Sequence, residues 1–293
     1  MEATTQATPL RMPAAFIGHG SPMNTLERNR FTEAWRDLGR RLPRPRAILC
    51  ISAHWFIKAT AVTAMERPRV IHDFYGFPRE LFEFDYPAPG APDVAREIEG
   101  LLGTKHVVLD QESWGLDHGT WSVLAHVAPD ADIPVVQLSL HAEEPPERHV
   151  EIGRALAPLR ERGVFIVGSG NVVHNLRRMD RRHPEGAFDW AERFDAEVQR
   201  VMAIDPAALV DAPRHPDYAM SAPTPEHFMP LYYFAGLCAQ AGETSHPFVT
   251  GGAMGSLTMT SFTTGLDWRA PLVDGSGEGV TLPASTPADQ TNL

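Results

Sequence analysis

Cysteine is nearly absent. Cys50 and Cys238 are the only two in 293 residues, and each sits in an apolar stretch without a pairing or metal-binding spacing. This excludes a disulfide scaffold and a thiolate metal centre, and it predicts two buried free thiols in a reducing compartment. Basic residues are outnumbered, with 26 Lys and Arg against 37 Asp and Glu and a formal net charge of −11. A nucleic-acid partner would call for a basic face, which that balance does not offer. No run approaches the ~18 apolar residues that a bilayer span requires. The segment Met1–Gln6 carries neither the basic region nor the apolar stretch of a secretory signal. These absences predict a cytoplasmic protein with no membrane or nucleic-acid partner. The chain also has no repeat, no low-complexity linker, no His-Glu-x-x-His element, no Gly-x-Gly-x-x-Gly fingerprint and no Walker lysine.

What is present is an ordinary core-forming composition, 43% hydrophobic and 22% charged, and alternating strand-like and helix-like segments. Strands are predicted at 14–18, 46–53, 60–65, 106–109, 134–140 and 164–167, with a strand-rich region at 247–263. Helical patterns cover 27–41, 92–102, 146–162, 187–203 and 227–241, the last starting late because of Pro230. Such alternation implies an α/β fold, a single domain with a central mostly parallel or mixed sheet and helices on both faces. The domain is read as residues 13–274, between flexible tails at 1–12 and 275–293. Two segments, 72–90 and 211–226, are Pro-rich and irregular, and both are expected to wall a pocket. For the first, rich in aromatic residues, the alternative is that its rings pack on the core.

Thirteen histidines is a high count, and three apolar runs end at a histidine or a histidine-bearing loop. Ala14–Gly18 runs into His19, Ala47–Ala53 into His54, and Val164–Val167 into a Gly-Ser-Gly-Asn loop followed by His174. The carboxyl ends of strands in an α/β sheet form the rim where ligands bind, and imidazole is the commonest metal-binding side chain. His19, between two glycines, and His54 are read as metal ligands. His174 is read as a metal ligand or a general acid–base. His118, bracketed by glycines, is either a base or a structural residue. His227 is paired in sequence with Glu226, which offers a further ligand or an acceptor that orients the imidazole. His72 and His141 are the next candidates. His106 and His126 read as strand and helix residues, while His149, His183, His215 and His246 fall in polar or turn contexts.

Taken in order, these segments resemble the class III extradiol ring-cleavage dioxygenases, most closely the 4,5-DOPA dioxygenase branch. The resemblance rests on Phe16-Ile17-Gly18-His19-Gly20-Ser21-Pro22, Ile51-Ser52-Ala53-His54-Trp55 and Tyr75-Gly76-Phe77-Pro78. It continues through Gly115–Trp121, Gly168–Asn175, Pro225-Glu226-His227 and Gly251–Ser256. It implies a mononuclear non-haem Fe(II) site, often found as Zn(II) in purified protein, with His19, His54, His174 and His227 at the metal-binding positions and His118 as a pocket histidine near the substrate. The implied reaction is O2-dependent cleavage of a catechol such as L-DOPA, with His118 or His174 accepting and returning a proton. Arg79 or Arg177 would pair with a substrate carboxylate. Two other readings stand beside it: a zinc hydrolase, since four histidines also suit an ion with an activated water, and a non-catalytic binding protein on the same fold.

Overall fold

A computed structural model of the chain describes residues 11–268. The strands are β1 (Ala14–Gly18), β2 (Ala47–Ile57), β3 (Ala61–Thr63), β4 (Val108–Asp110), β5 (Val135–His141), β6 (Val164–Gly170), β7 (His246–Val249), β8 (Gly252–Ala253), β9 (Leu257–Thr258) and β10 (Ser261–Thr264). The α-helices are α1 (Arg30–Arg41), α2 (Arg79–Phe82), α3 (Pro92–Leu102), α4 (His118–Val127), α5 (Pro146–Leu156), α6 (Pro158–Glu161), α7 (Asp189–Ile204), α8 (Tyr218–Ser221) and α9 (Met229–Ala241).

Eight strands form one sheet in the order β4-β3-β5-β2-β6-β1-β10-β7. The centre, β5-β2-β6-β1, is parallel, whereas β10 joins β1 antiparallel and β3 joins β5 antiparallel, so the sheet is mixed. Side chains alternate across a pleated strand, and here the alternation divides the core in two. Phe16, Leu49, Ile51, Leu138 and Ile166 face α3, α5, α7 and α9. Ile17, Ile48, Cys50, Phe165 and Val167 face α1 and α4. Both sides are buried, which is why these strands read as continuous apolar runs. Parallel central strands end together at one rim, and that rim carries the histidines.

The differences from expectation have local causes. The helix predicted over 146–162 is broken at Pro158 into α5 and α6. The helix predicted from 27 begins at Arg30, because Asn29 caps it by accepting from Phe31 N and Thr32 N. The strand predicted to stop at 53 continues to Ile57, past an irregularity between Ile51 and Phe56. His54 therefore lies within β2 and not at its end. No helical segment is predicted over α4, although His126, read as a helix residue, lies in it. His106 lies in a turn and not in a strand, and His149, read as falling in a polar or turn context, lies buried in α5. Of the tails read at 1–12 and 275–293, residues 1–10 and 275–293 lie outside the described residues. Residue 12 is no tail: Met12 is buried, and Arg160 Nε donates to its carbonyl at 2.7 Å. Cys50 and Cys238 are buried and free. Among the described residues, no helix is long and apolar enough to cross a membrane.

Candidate metal centre

His19 leaves the end of β1 into a turn that fixes its backbone. Its N–H donates to Gly170 O at 2.9 Å, and Asn24 Nδ2 donates to its carbonyl at 2.9 Å. Gly20 takes the left-handed conformation, φ 61°, which a residue with a Cβ rarely adopts. The β2 irregularity brings His54 to the same rim. His227 arrives from the start of α9, where Asn171 N donates to His227 O at 2.8 Å. At Gly170 any added Cβ would overlap that same carbonyl, so only glycine admits this approach. Segments some two hundred residues apart thus converge. The ring centroids of His19, His54 and His227 form a near-equilateral triangle, with sides of 5.2, 5.3 and 5.1 Å.

Each of these rings is held by its Nδ1. Ser169 Oγ donates to Gly119 O and therefore accepts from His19 Nδ1–H at 2.9 Å. His54 Nδ1 lies 3.2 Å from Asp73 Oδ2, and His227 Nδ1 lies 3.1 Å from Glu226 Oε1. With Nδ1 donating, every Nε2 presents a lone pair, and one ligating nitrogen of each ring lies within 4.8 Å of the others. His54 Nε2 and His19 Nε2 are 3.3 Å apart. Two nitrogens each bound at about 2.1 Å to one tetrahedral ion would stand roughly 3.4 Å apart. The donor set therefore fits a single cation of the kind imidazole binds.

Electrostatics agree with that fit at two of the three rings. Burial, followed by the neighbouring imidazoles, holds His19 and His227 well below the ordinary histidine pKa, so both stay neutral. Burial also depresses His54, but hydrogen bonding to Asp73 and the charges of Asp117, Asp73 and Glu226 together raise it. Burial disfavours the Asp73 carboxylate, yet its bonds to His118 and His54 hold its pKa far below the usual range. Ligation needs neutral rings and ionised carboxylates nearby.

His118 is the first residue of α4, which Asp117 caps by accepting from Thr120 N. Its backbone N–H and its Nδ1 both lie within 3.0 Å of Asp73 Oδ1. Burial and the neighbouring His54 lower its pKa. The His54 and His118 rings are 3.9 Å apart. His174 takes a different position from the three-ring triangle: it stacks flat on His227, with centroids 3.4 Å apart and planes at 6°, and groups with Glu226 and His227. Burial lowers it to about 4.

These rings floor a cavity of about 380 Å³ that is also lined by Phe74, Tyr75, Phe77, Leu176, Met179 and Leu257. The 72–90 segment accordingly divides its tasks. Phe74, Tyr75 and Phe77 wall the cavity, whereas Phe84 stacks on Trp121 and Tyr86 Oη donates to Ala128 O. The 211–226 segment does not line it; its contribution is support, through His174 N donating to Ser221 O at 2.8 Å. Arg79 is paired with Glu83 at 2.6 Å on the surface, and Arg177 is exposed and does not line the cavity. His72 is bonded to Phe84 O, and His141 Nδ1 accepts from Glu143 N. Sequence reasoning missed Asp73, which joins two of the histidines.

Fold and site together define a class: an α/β protein with a histidine-rich centre suited to one ion, opening on a cavity walled by aromatic and apolar side chains. Residues 14–259 match the family described as the catalytic LigB subunit of aromatic ring-opening dioxygenase. The chain belongs to that family of metal-dependent dioxygenases. It is 48% identical over 255 residues to the 4,5-DOPA dioxygenase extradiol of Escherichia coli K12, covering 86% of this chain and 94% of the relative. It is 37% identical to the 4,5-DOPA dioxygenase extradiol of Beta vulgaris, covering 84% of this chain and 96% of that one. The crystal structure of an uncharacterized protein from Escherichia coli K12 superposes with a TM-score of 0.75 at 44% identity, over 86% of this chain and 99% of the other.

Proposed function

We propose that this protein cleaves the aromatic ring of a catechol such as L-DOPA in the extradiol manner, using O2 and an Fe(II) ion held by His19, His54 and His227. The observation that carries this reading is the triangle of imidazoles, each fixed through Nδ1. Iron(II) with three protein ligands has open positions for substrate and dioxygen and supplies the electron transfer between them. In this reading His174, stacked on His227, takes part in proton handling and not in ligation. Zn(II) suits the same nitrogens and is the ion expected to contaminate purified protein.

The chain's own residues account for binding and proton movement. The cavity, with Phe74, Tyr75 and Phe77 in its wall, accepts a flat ring, and Leu176, Met179 and Leu257 add apolar lining. His118 carries its proton on Nδ1, toward Asp73, so Nε2 is free to take a proton from a catechol hydroxyl. The imidazolium formed is steadied by the Asp73 carboxylate and returns the proton to the ring-opened product. Overall, both atoms of O2 enter the product as one ring C–C bond beside the diol breaks.

Oxygen uptake tests this reading directly. After anaerobic reconstitution with Fe(II), L-DOPA and a panel of substituted catechols are added with air. One O2 consumed per catechol, with a yellow ring-opened chromophore, is the expected result. Catechol left intact while an ester or amide is hydrolysed would replace this reading with the hydrolase one.

A further inference from the structure

We propose that the catechol side chain is selected by charge: a groove adjoining the catalytic cavity receives an anionic arm of the substrate on Arg177 and Arg178. The proposal rests on the ring-cleavage reading and narrows its substrate to one class, a catechol whose arm ends in a carboxylate. The chain as a whole is acidic, with a formal net charge of −11, yet residues 177–182 hold four arginines. That cluster follows His174, a lining residue of the catalytic cavity, by a few positions. Leu176–Arg178 form a short 3-10 turn. Asn175 fastens it, its N–H donating to Ser256 O at 3.0 Å and its Nδ2 to Met220 O at 2.7 Å.

Two hollows meet at this turn. Leu176 and Met179 line the catalytic cavity. Met179 also lines a groove of about 640 Å³, together with Arg177, Arg178, Phe188, Trp190 and Met220. The two therefore adjoin at the Met179 side chain. Asp180 lines the groove as well, but its carboxylate is engaged by Arg182 Nε at 2.9 Å and Nη2 at 2.8 Å. Arg177 and Arg178 are exposed, and among the described residues neither guanidinium has a carboxylate partner. A guanidinium matches the two oxygens of a carboxylate, and a local cationic patch on an acidic chain steers an anion to that patch. Leu176 lines the cavity yet is 54% exposed. The methylenes of an arm passing Met179 would cover it, whereas an unsubstituted catechol leaves Leu176 and both arginines unmatched.

The test is oxygen uptake by the Fe(II)-reconstituted full chain with two nearly isosteric catechols, 3-(3,4-dihydroxyphenyl)propanoate and its primary amide. The acid should be preferred in kcat/KM by about five- to tenfold, the scale of two exposed ion pairs, with the difference in KM and not in kcat. Added salt should shrink that preference. In Arg177→Gln/Arg178→Gln the ratio of acid to amide should fall to about one, and Arg177→Lys/Arg178→Lys should keep a preference for the acid. Equal kcat/KM for acid and amide in the unaltered protein overturns the proposal and leaves ring cleavage standing. So does a preference that the double Gln variant retains in full. Oxygen uptake with neither compound, nor with any other catechol, overturns the ring-cleavage reading and this proposal with it.

Discussion

Asp73 accepts from two imidazoles at once: His118 Nδ1 at 2.9 Å through one oxygen and His54 Nδ1 at 3.2 Å through the other. It therefore sets the tautomer of a proposed ligand and of a proposed base together. In Asp73→Asn one oxygen becomes an NH2 donor, so one ring loses its acceptor. Iron affinity or kcat/KM should fall about 10- to 100-fold, and the pH profile of kcat/KM should change shape, a shift that simple loosening of the fold would not produce. Asp73 left no mark in the sequence because its partners lie 19 and 45 positions away, in a loop without periodicity. His19 and His54 were legible because apolar runs lead into them. A second prediction concerns His149, buried in α5 and bonded to Tyr233 Oη and Glu144 O. Burial lowers it from its ordinary 6.5 to about 4. Between those values the unfolded ring binds the proton and the folded ring does not, so its contribution is fully present above pH 6.5 and is lost as pH falls toward 4. His149→Asn should flatten the dependence of urea stability on pH across that window, by on the order of 1–3 kcal/mol over its length. An unchanged slope would contradict this assignment.

At the scale of elements, helix α4 is the informative case. Every residue of His118–Val127 except Ala125 is buried, so it shows no polar face and no 3.6-residue apolar period from which a helix could be read. The signal that did exist was its cap. Asp117 accepts from Thr120 N, from Ser52 Oγ at 2.7 Å and from Gln137 Nε2. Asp117→Ala removes the cap, about 1 kcal/mol by itself, and leaves Ser52 and Gln137 with unmet buried groups. The denaturation midpoint should drop by more than a cap alone explains, and an unchanged midpoint would refute the structural role. The irregularity in β2 was equally hidden, since an apolar strand buried on both faces gives no alternation that a change of register would interrupt.

At the scale of the molecule, the parallel centre and the helices on both faces followed from strand–helix alternation, but the order of strands did not. β10 lies beside β1, more than two hundred residues away in the chain, and no local pattern announces such a pairing. The arrangement matters because it extends the sheet beyond β1 while leaving the rim of β1, β2 and β6 open for the proposed metal centre. Removing one ligand should therefore empty the centre without unfolding the sheet. Iron content after anaerobic reconstitution and desalting, read with circular dichroism, is the most direct measurement. One Fe(II) per chain is expected for the unaltered protein, and less than a tenth of that, roughly, for His19→Ala and His54→Ala at unchanged fold. Stoichiometric iron in both variants, or none in the unaltered protein, would contradict a centre built on these rings.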